Sequence, residues 1–129
     1  MLAVDTNIVV RLVTNDDLKQ AERAAMLFSS TDIYLPVTVL LETEWVLRYS
    51  YELKPDAILR SLRGVLGLPR VSVQFPNDVQ RALILFENGM DFADALHLTT
   101  STPASGFKTF DAKLVRRAQS AGMTEVTAL

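Results

Sequence analysis

The chain has no cysteine, a single histidine and a single tryptophan among its 129 residues. Without thiols there can be no disulfide and no thiolate metal site, and the composition fits a reducing compartment. Long apolar runs are missing as well, and none approaches the roughly 18 residues needed to span a bilayer. The opening Met1-Leu2-Ala3-Val4-Asp5 carries an acid where a signal peptide carries basic residues, so no export signal is expected and the cytoplasm is the expected location. A basic excess is also lacking. The formal net charge of −2 leaves no electrostatic footprint for nucleic acid, although acids gathered around bound cations would leave the remaining surface close to neutral.

What is present is apolar material. Hydrophobic residues make up 49% of the chain, enough for a core with a surplus for an interface. No repeat, low-complexity stretch or linker interrupts the sequence, and one domain over residues 1–129 is expected. Leu2–Asp5 reads as a short buried strand followed by a helix over Asn7–Val13. Asp16–Ser30 is patterned as a helix, Asp32–Leu35 as a strand stopped by Pro36, and Thr38–Tyr51 as a strongly apolar helix. Pro55–Leu66 is a helix with Pro in its first turn and Gly67 behind it. Val71–Val73 is strand-like, Pro76–Asn88 a helix closed by Gly89, and Asp91–Ser101 a helix with Asp91 as a natural N-cap. Gly106–Thr109 is a strand, Asp111–Ala121 a helix closed by Gly122, and Thr124–Thr127 a last strand. Short strands alternating with helices predict an α/β layered fold around a parallel sheet.

The acids fall at informative places in this frame. Asp5 and Asp111 each sit where a strand runs into a helix, at the carboxyl end where open α/β sheets bind ligands. Each also suits a plain helix cap. Glu42 and Glu44 are two residues apart on one helix, so at most one can face a shared site. Glu44 has Arg48 four residues on, the order of a surface ion pair. Glu42 has Val39 and Val46 on its side and no cation along the helix, a costly placement unless a metal or donors compensate. Asp94 follows Asp91 at capping-box spacing. The alternative gives Asp94 to a site and leaves Asp91 as the cap. His97, alone on a half-apolar helix, is expected to be structural.

Val4-Asp5-Thr6-Asn7, Leu40-Leu41-Glu42 with Trp45-Val46-Leu47, Asp91-Phe92-Ala93-Asp94-Ala95-Leu96 and Thr109-Phe110-Asp111 together resemble the PIN-domain nucleases. Within that family they are most similar to the toxin ribonucleases of VapBC-type toxin–antitoxin pairs. The resemblance implies a PIN-like three-layer fold, with a short parallel sheet flanked by helices. It implies an acidic quartet of Asp5, Glu42, Asp94 and Asp111 that holds Mg²⁺ or Mn²⁺ and hydrolyses RNA. Thr6, Asn7 and Thr109 match positions that support the acids or the scissile phosphate. A homodimer and a VapB-like antitoxin seated in an apolar groove are likewise implied. Some members carry a further acid just after the position of Asp111, where this chain has Ala112 and Lys113, and that bears on a second metal.

Carboxylate oxygens are the hard donors that Mg²⁺ and Mn²⁺ prefer. An ion so held acidifies water and neutralises charge growing on a phosphate. Arg11, Arg48, Lys108, Lys113, Arg116 and Arg117 are candidates for gripping an RNA backbone. Two other readings use the same residues. One is a non-catalytic PIN-fold binding module. The other is phosphoryl transfer through Asp5, but related phosphatases have an acid two residues later, where this chain has Asn7.

Overall fold

The computed structural model describes residues 1–129, with elements in the order β1 (Leu2–Ala3), α1 (Thr6–Thr14), α2 (Leu18–Ser30), β2 (Ile33–Leu35), α3 (Val37–Tyr49), α4 (Pro55–Leu66), β3 (Val71–Val73), α5 (Pro76–Glu87), α6 (Phe92–Thr99), β4 (Phe107–Thr109), α7 (Ala112–Ser120) and β5 (Val126–Ala128). It is a mixed α/β protein with parallel strand pairing throughout, as the alternation of patterns predicted. The short parallel sheet flanked by helices is present as expected, with hydrogen-bonded ladders β1-β2-β3 and β4-β5. The chain also divides into two compact units, Met1–Pro76 and Asn77–Leu129. No helix is long and apolar enough to cross a membrane.

In the first unit β2 is the central strand, pairing Ile33 with both Leu2 and Val71. Its inward residues Ile33 and Leu35 are fully buried, each contributing about 1.5–3 kcal/mol by leaving water. Helices α1 and α2 pack together, with Val9 and Val10 buried on one and Ala21, Ala24 and Phe28 on the other. Asn15 closes α1 in the left-handed conformation, which Asn tolerates better than most residues. In the second unit Phe107 pairs with Val126 and Thr109 with Ala128. Phe86 and Phe92 meet edge to face at 5.4 Å, with Val79, Leu83, Ala95 and Leu114 also buried in that unit. Gly122, at φ +87°, ends α7 where the sequence placed it.

Helix α3 corrects one expectation, that Glu44 lies on the surface. Its buried face is Leu40, Thr43, Glu44 and Leu47, the i, i+3, i+4, i+7 stripe of a helix lying on a core. Glu44 is therefore only 1% exposed, not on the surface. Its partner is Arg48, as the spacing indicated. Arg48 Nη2 donates to Oε1 at 3.2 Å, and Nε lies 2.8 Å from Oε2 as a charge contact. The guanidinium also sits 4.8 Å from the Tyr49 ring centroid. A carboxylate so buried depends on its cation. Arg48→Ala is expected to cost about 2–4 kcal/mol in urea unfolding, somewhat less than a fully buried pair because the arginine is half exposed. Replacing both residues by methionine should recover most of that loss.

Candidate active site

Asp5 ends the segment after β1 and is the N-cap of α1, with extended backbone and Oδ1 accepting from the Ile8 amide at 3.3 Å. Asp111 has the same part after β4. Its Oδ1 accepts from the amides of Lys113 and Leu114 at 3.0 and 3.1 Å, and its own amide donates to Thr109 Oγ1 at 3.0 Å. The capping reading thus holds for both aspartates. It uses one oxygen of each, and both side chains are exposed, so Oδ2 stays available in each case. Thr109, expected to support the acids or the phosphate, thus holds the Asp111 backbone at the turn into α7.

Glu42 lies on the outer side of α3 and is exposed. The desolvation argument that singled it out does not apply, because the buried stripe of α3 runs through Glu44. What marks Glu42 is a partner. The buried Thr6 donates its hydroxyl to Glu42 Oε1, tying that carboxylate to the residue next to Asp5. Asn7 is exposed at the start of α1.

In the second unit Asp91 caps α6, accepting from the Asp94 amide at 3.1 Å. Asp94 occupies the first turn, half-buried. Burial pushes its carboxyl above the usual range, and the charges of Asp91 and Asp111 push the same way against a smaller opposing effect of His97. His97 is exposed in the last turn of α6. Asp16 behaves in the opposite way. A hydrogen bond from Tyr51 Oη at 2.5 Å and the charge of Arg11 hold its carboxyl below the usual range against its partial burial. Asp16 is a satisfied structural acid, whereas the surroundings of Asp94 disfavour its charged form.

The structure therefore links Glu42 to the Asp5 end of α1 through Thr6, and brings Asp94 within electrostatic range of Asp111. No three Asp, Glu or His side chains stand in metal-binding geometry. The donors nevertheless fit a hard divalent ion in kind, being all oxygen, with a second oxygen available on Asp5 and on Asp111.

Of the candidate cations, Arg11 is committed to Asp16 at 3.0 Å and Arg48 to Glu44, while Lys108 donates to Thr127 Oγ1 at 2.8 Å. Lys113, Arg116 and Arg117 are exposed. Beside Asp5 a groove of about 570 Å³ opens between α1 and α2, lined also by Asn7, Gln20 and Arg23. Sequence reasoning passed over Gln20 and Arg23. Their i, i+3 spacing on the polar side of α2 was the only signal.

Because its carboxyl is raised, ionised Asp94 costs stability at neutral pH, and the cost disappears as pH falls through the raised value toward that of the unfolded chain. Asp94→Asn is thus expected to raise the Tm of metal-free protein at pH 7 by about 1–2 °C, after allowing for solvent screening at a half-exposed site. The gain should vanish near pH 4. Thermal melts of the two proteins across pH check this.

No curated protein matches the chain. The family model of the PIN domain matches residues 2–127, almost all of it. PIN domains are generally metal-dependent nucleases, which places the activity in the nuclease class of hydrolases. With its short parallel sheets, its alternating helices and this match, the chain belongs to the PIN-domain family.

Proposed function

We propose that the chain, as one PIN domain over residues 1–129, is a VapC-like toxin: a cytoplasmic endoribonuclease that uses Mg²⁺ or Mn²⁺ held by Asp5, Glu42, Asp94 and Asp111. The observation that carries this reading is the state of those acids within a PIN-family chain. None of the four is engaged by a lysine or arginine in an ion pair, and burial and two neighbouring carboxylates push the Asp94 carboxyl above the usual range. A protein gains nothing in stability from that arrangement, whereas a hydrolytic metal site requires it.

In this mechanism Asp5 and Asp94 would hold the principal ion. Such an ion would supply positive charge to the phosphate and acidity to water. Glu42, fixed at Oε1 by Thr6, keeps Oε2 for orienting the attacking water. Asp111, its orientation fixed by the α7 amides, would complete the site or help to hold a second ion. Water oxygen bonds to phosphorus as the P–O3′ bond breaks, leaving a 5′-phosphate and a 3′-hydroxyl. Asn7 steadies the phosphate, and Thr109 acts by holding Asp111.

A partner is supported by the outer side of α3, where Trp45 and Tyr49 are more than half exposed with their rings 5.0 Å apart. We assign this patch to the antitoxin or to the second subunit of a homodimer. The non-catalytic module draws on one observation, that no three acids form a ready cage for an ion.

The deciding experiment is cleavage of a labelled RNA pool with Mg²⁺, with Mn²⁺ and with EDTA. Asp5→Asn is expected to lower the rate at least about 100-fold, the scale of a lost metal ligand. Loss of a helix cap alone should cost only about 0.5–2 kcal/mol of stability and leave folded protein to assay. Metal-dependent 5′-phosphate products that disappear in the variant support the reading. Intact RNA with every metal overturns it in favour of the binding module.

A further inference from the structure

A groove lies between α1 and α2, and its lining is mixed in a particular way. Ile8, Ala24 and Leu27 give it apolar surface, while Gln20, Arg23 and Asp5 give it polar edges. Its volume of about 570 Å³ falls within the range of about 300–1,000 Å³ that holds small ligands. Asp5 is one of the acids assigned to the metal, so a molecule in the groove adjoins the proposed reacting centre.

Two of the three polar side chains have their roles narrowed by their surroundings. Arg11 Nε donates to Gln20 Oε1 at 2.7 Å. Arg11 is itself immobilised, its Nη1 lying 3.0 Å from Asp16 Oδ1 and 3.1 Å from the Tyr51 hydroxyl. The Gln20 amide is capped by Asp17 at 3.0 Å, so both ends of the residue are fixed. With its oxygen taken, the carboxamide offers its nitrogen, a donor, to whatever enters. Arg23 is exposed and forms no ion pair with any acid. It is the uncommitted cation of this groove, since Arg11 is neutralised by Asp16.

We propose that this groove seats the nucleotide adjoining the scissile bond, with Arg23 binding its phosphate and the Gln20 nitrogen donating to an acceptor on its base. The apolar floor takes the face of the base, a contact tolerant of sequence, and the Gln20 donor adds the preference. It favours bases that present a carbonyl or ring nitrogen along the contacted edge. Gln20 and Arg23 are thus positioning and specificity residues, and the inference rests on the ribonuclease reading above.

The test combines binding and product mapping. Binding of labelled single-stranded RNA is followed by anisotropy in EDTA over a range of salt, and cleavage positions are then read with Mg²⁺ or Mn²⁺. Arg23→Ala is expected to weaken binding roughly three- to tenfold at 0.1 M salt and to lower the slope of log K against log salt by about 0.7. Arg23→Lys, which keeps the charge, should preserve the slope. Gln20→Ala should reduce base preference next to the cut about fivefold, and Gln20→Glu should shift it toward bases that offer an amino group. Both positions are exposed on α2, so the variants should fold normally.

If wild type cuts RNA while the variants keep its salt slope and its cleavage pattern, the groove assignment falls and the nuclease reading stands. If the substitutions weaken capture of an antitoxin but leave RNA binding unchanged, the groove is a protein-docking site and the assignment is overturned. If wild type neither binds nor cuts RNA, both fall together.

Discussion

The strands of this protein are so short that each ends almost as soon as it is paired, and the chain must then pass directly into a helix. β1 has two residues and β4 three, so the junction after each falls at the carboxyl end of a parallel ladder. A helix starting there has unpaired amides that need an acceptor. Asp5 and Asp111 meet that need with one oxygen each. A carboxylate has two oxygens, so the same residue that starts the helix keeps a second acceptor at the ladder's end. Structural necessity and chemical opportunity coincide in one side chain. Helix capping and metal binding are therefore compatible at these positions.

The acids of the chain fall into two physical groups. Asp16, Asp32, Glu44, Asp56 and Asp78 each face an arginine within ion-pair distance. Their charge is compensated within the fold, most fully at Glu44, where burial makes compensation obligatory. Asp5, Glu42, Asp94 and Asp111 have no such partner, as is also true of solvated surface acids such as Glu22. Position separates the four from these. Asp5 and Asp111 are anchored at helix starts, Glu42 is fixed by a buried threonine, and Asp94 is half-buried between other acids. At Asp94 burial and the charges of Asp91 and Asp111 push the carboxyl up, and a cation bound there would relieve that repulsion.

Much of this was legible in the sequence where local chemistry decides the structure. Pro55 at a helix start, Gly67 behind it, and the aspartates before α1, α6 and α7 all marked their boundaries because capping is a matter of a few neighbouring residues. Helix α3 was less legible. It is apolar almost all round, so its pattern does not say which side faces the core. Only the packing shows that Leu40, Thr43, Glu44 and Leu47 turn inward while Glu42 and Trp45 turn out. The choice of Glu42 over Glu44 stands as a proposal, but the reason for it has changed from the cost of burial to the hydroxyl of Thr6. Gln20 and Arg23 were silent for a related cause. Their groove is a product of two helices packing, and neither helix encodes it alone.

The small negative net charge takes on a different meaning once the cations are located. Arg11, Arg48, Arg60, Arg70 and Arg81 are spent on acids of their own unit, while Lys113, Arg116 and Arg117 stay exposed on α7. An RNA bound by few phosphate contacts has a shallow dependence on salt and little non-specific affinity. Under the proposed function, its residence would then depend on an ion at the carboxylates and on the groove that takes the flanking nucleotide. A substrate that failed to fill the groove would have fewer contacts to hold it, and it would dissociate before water attacked.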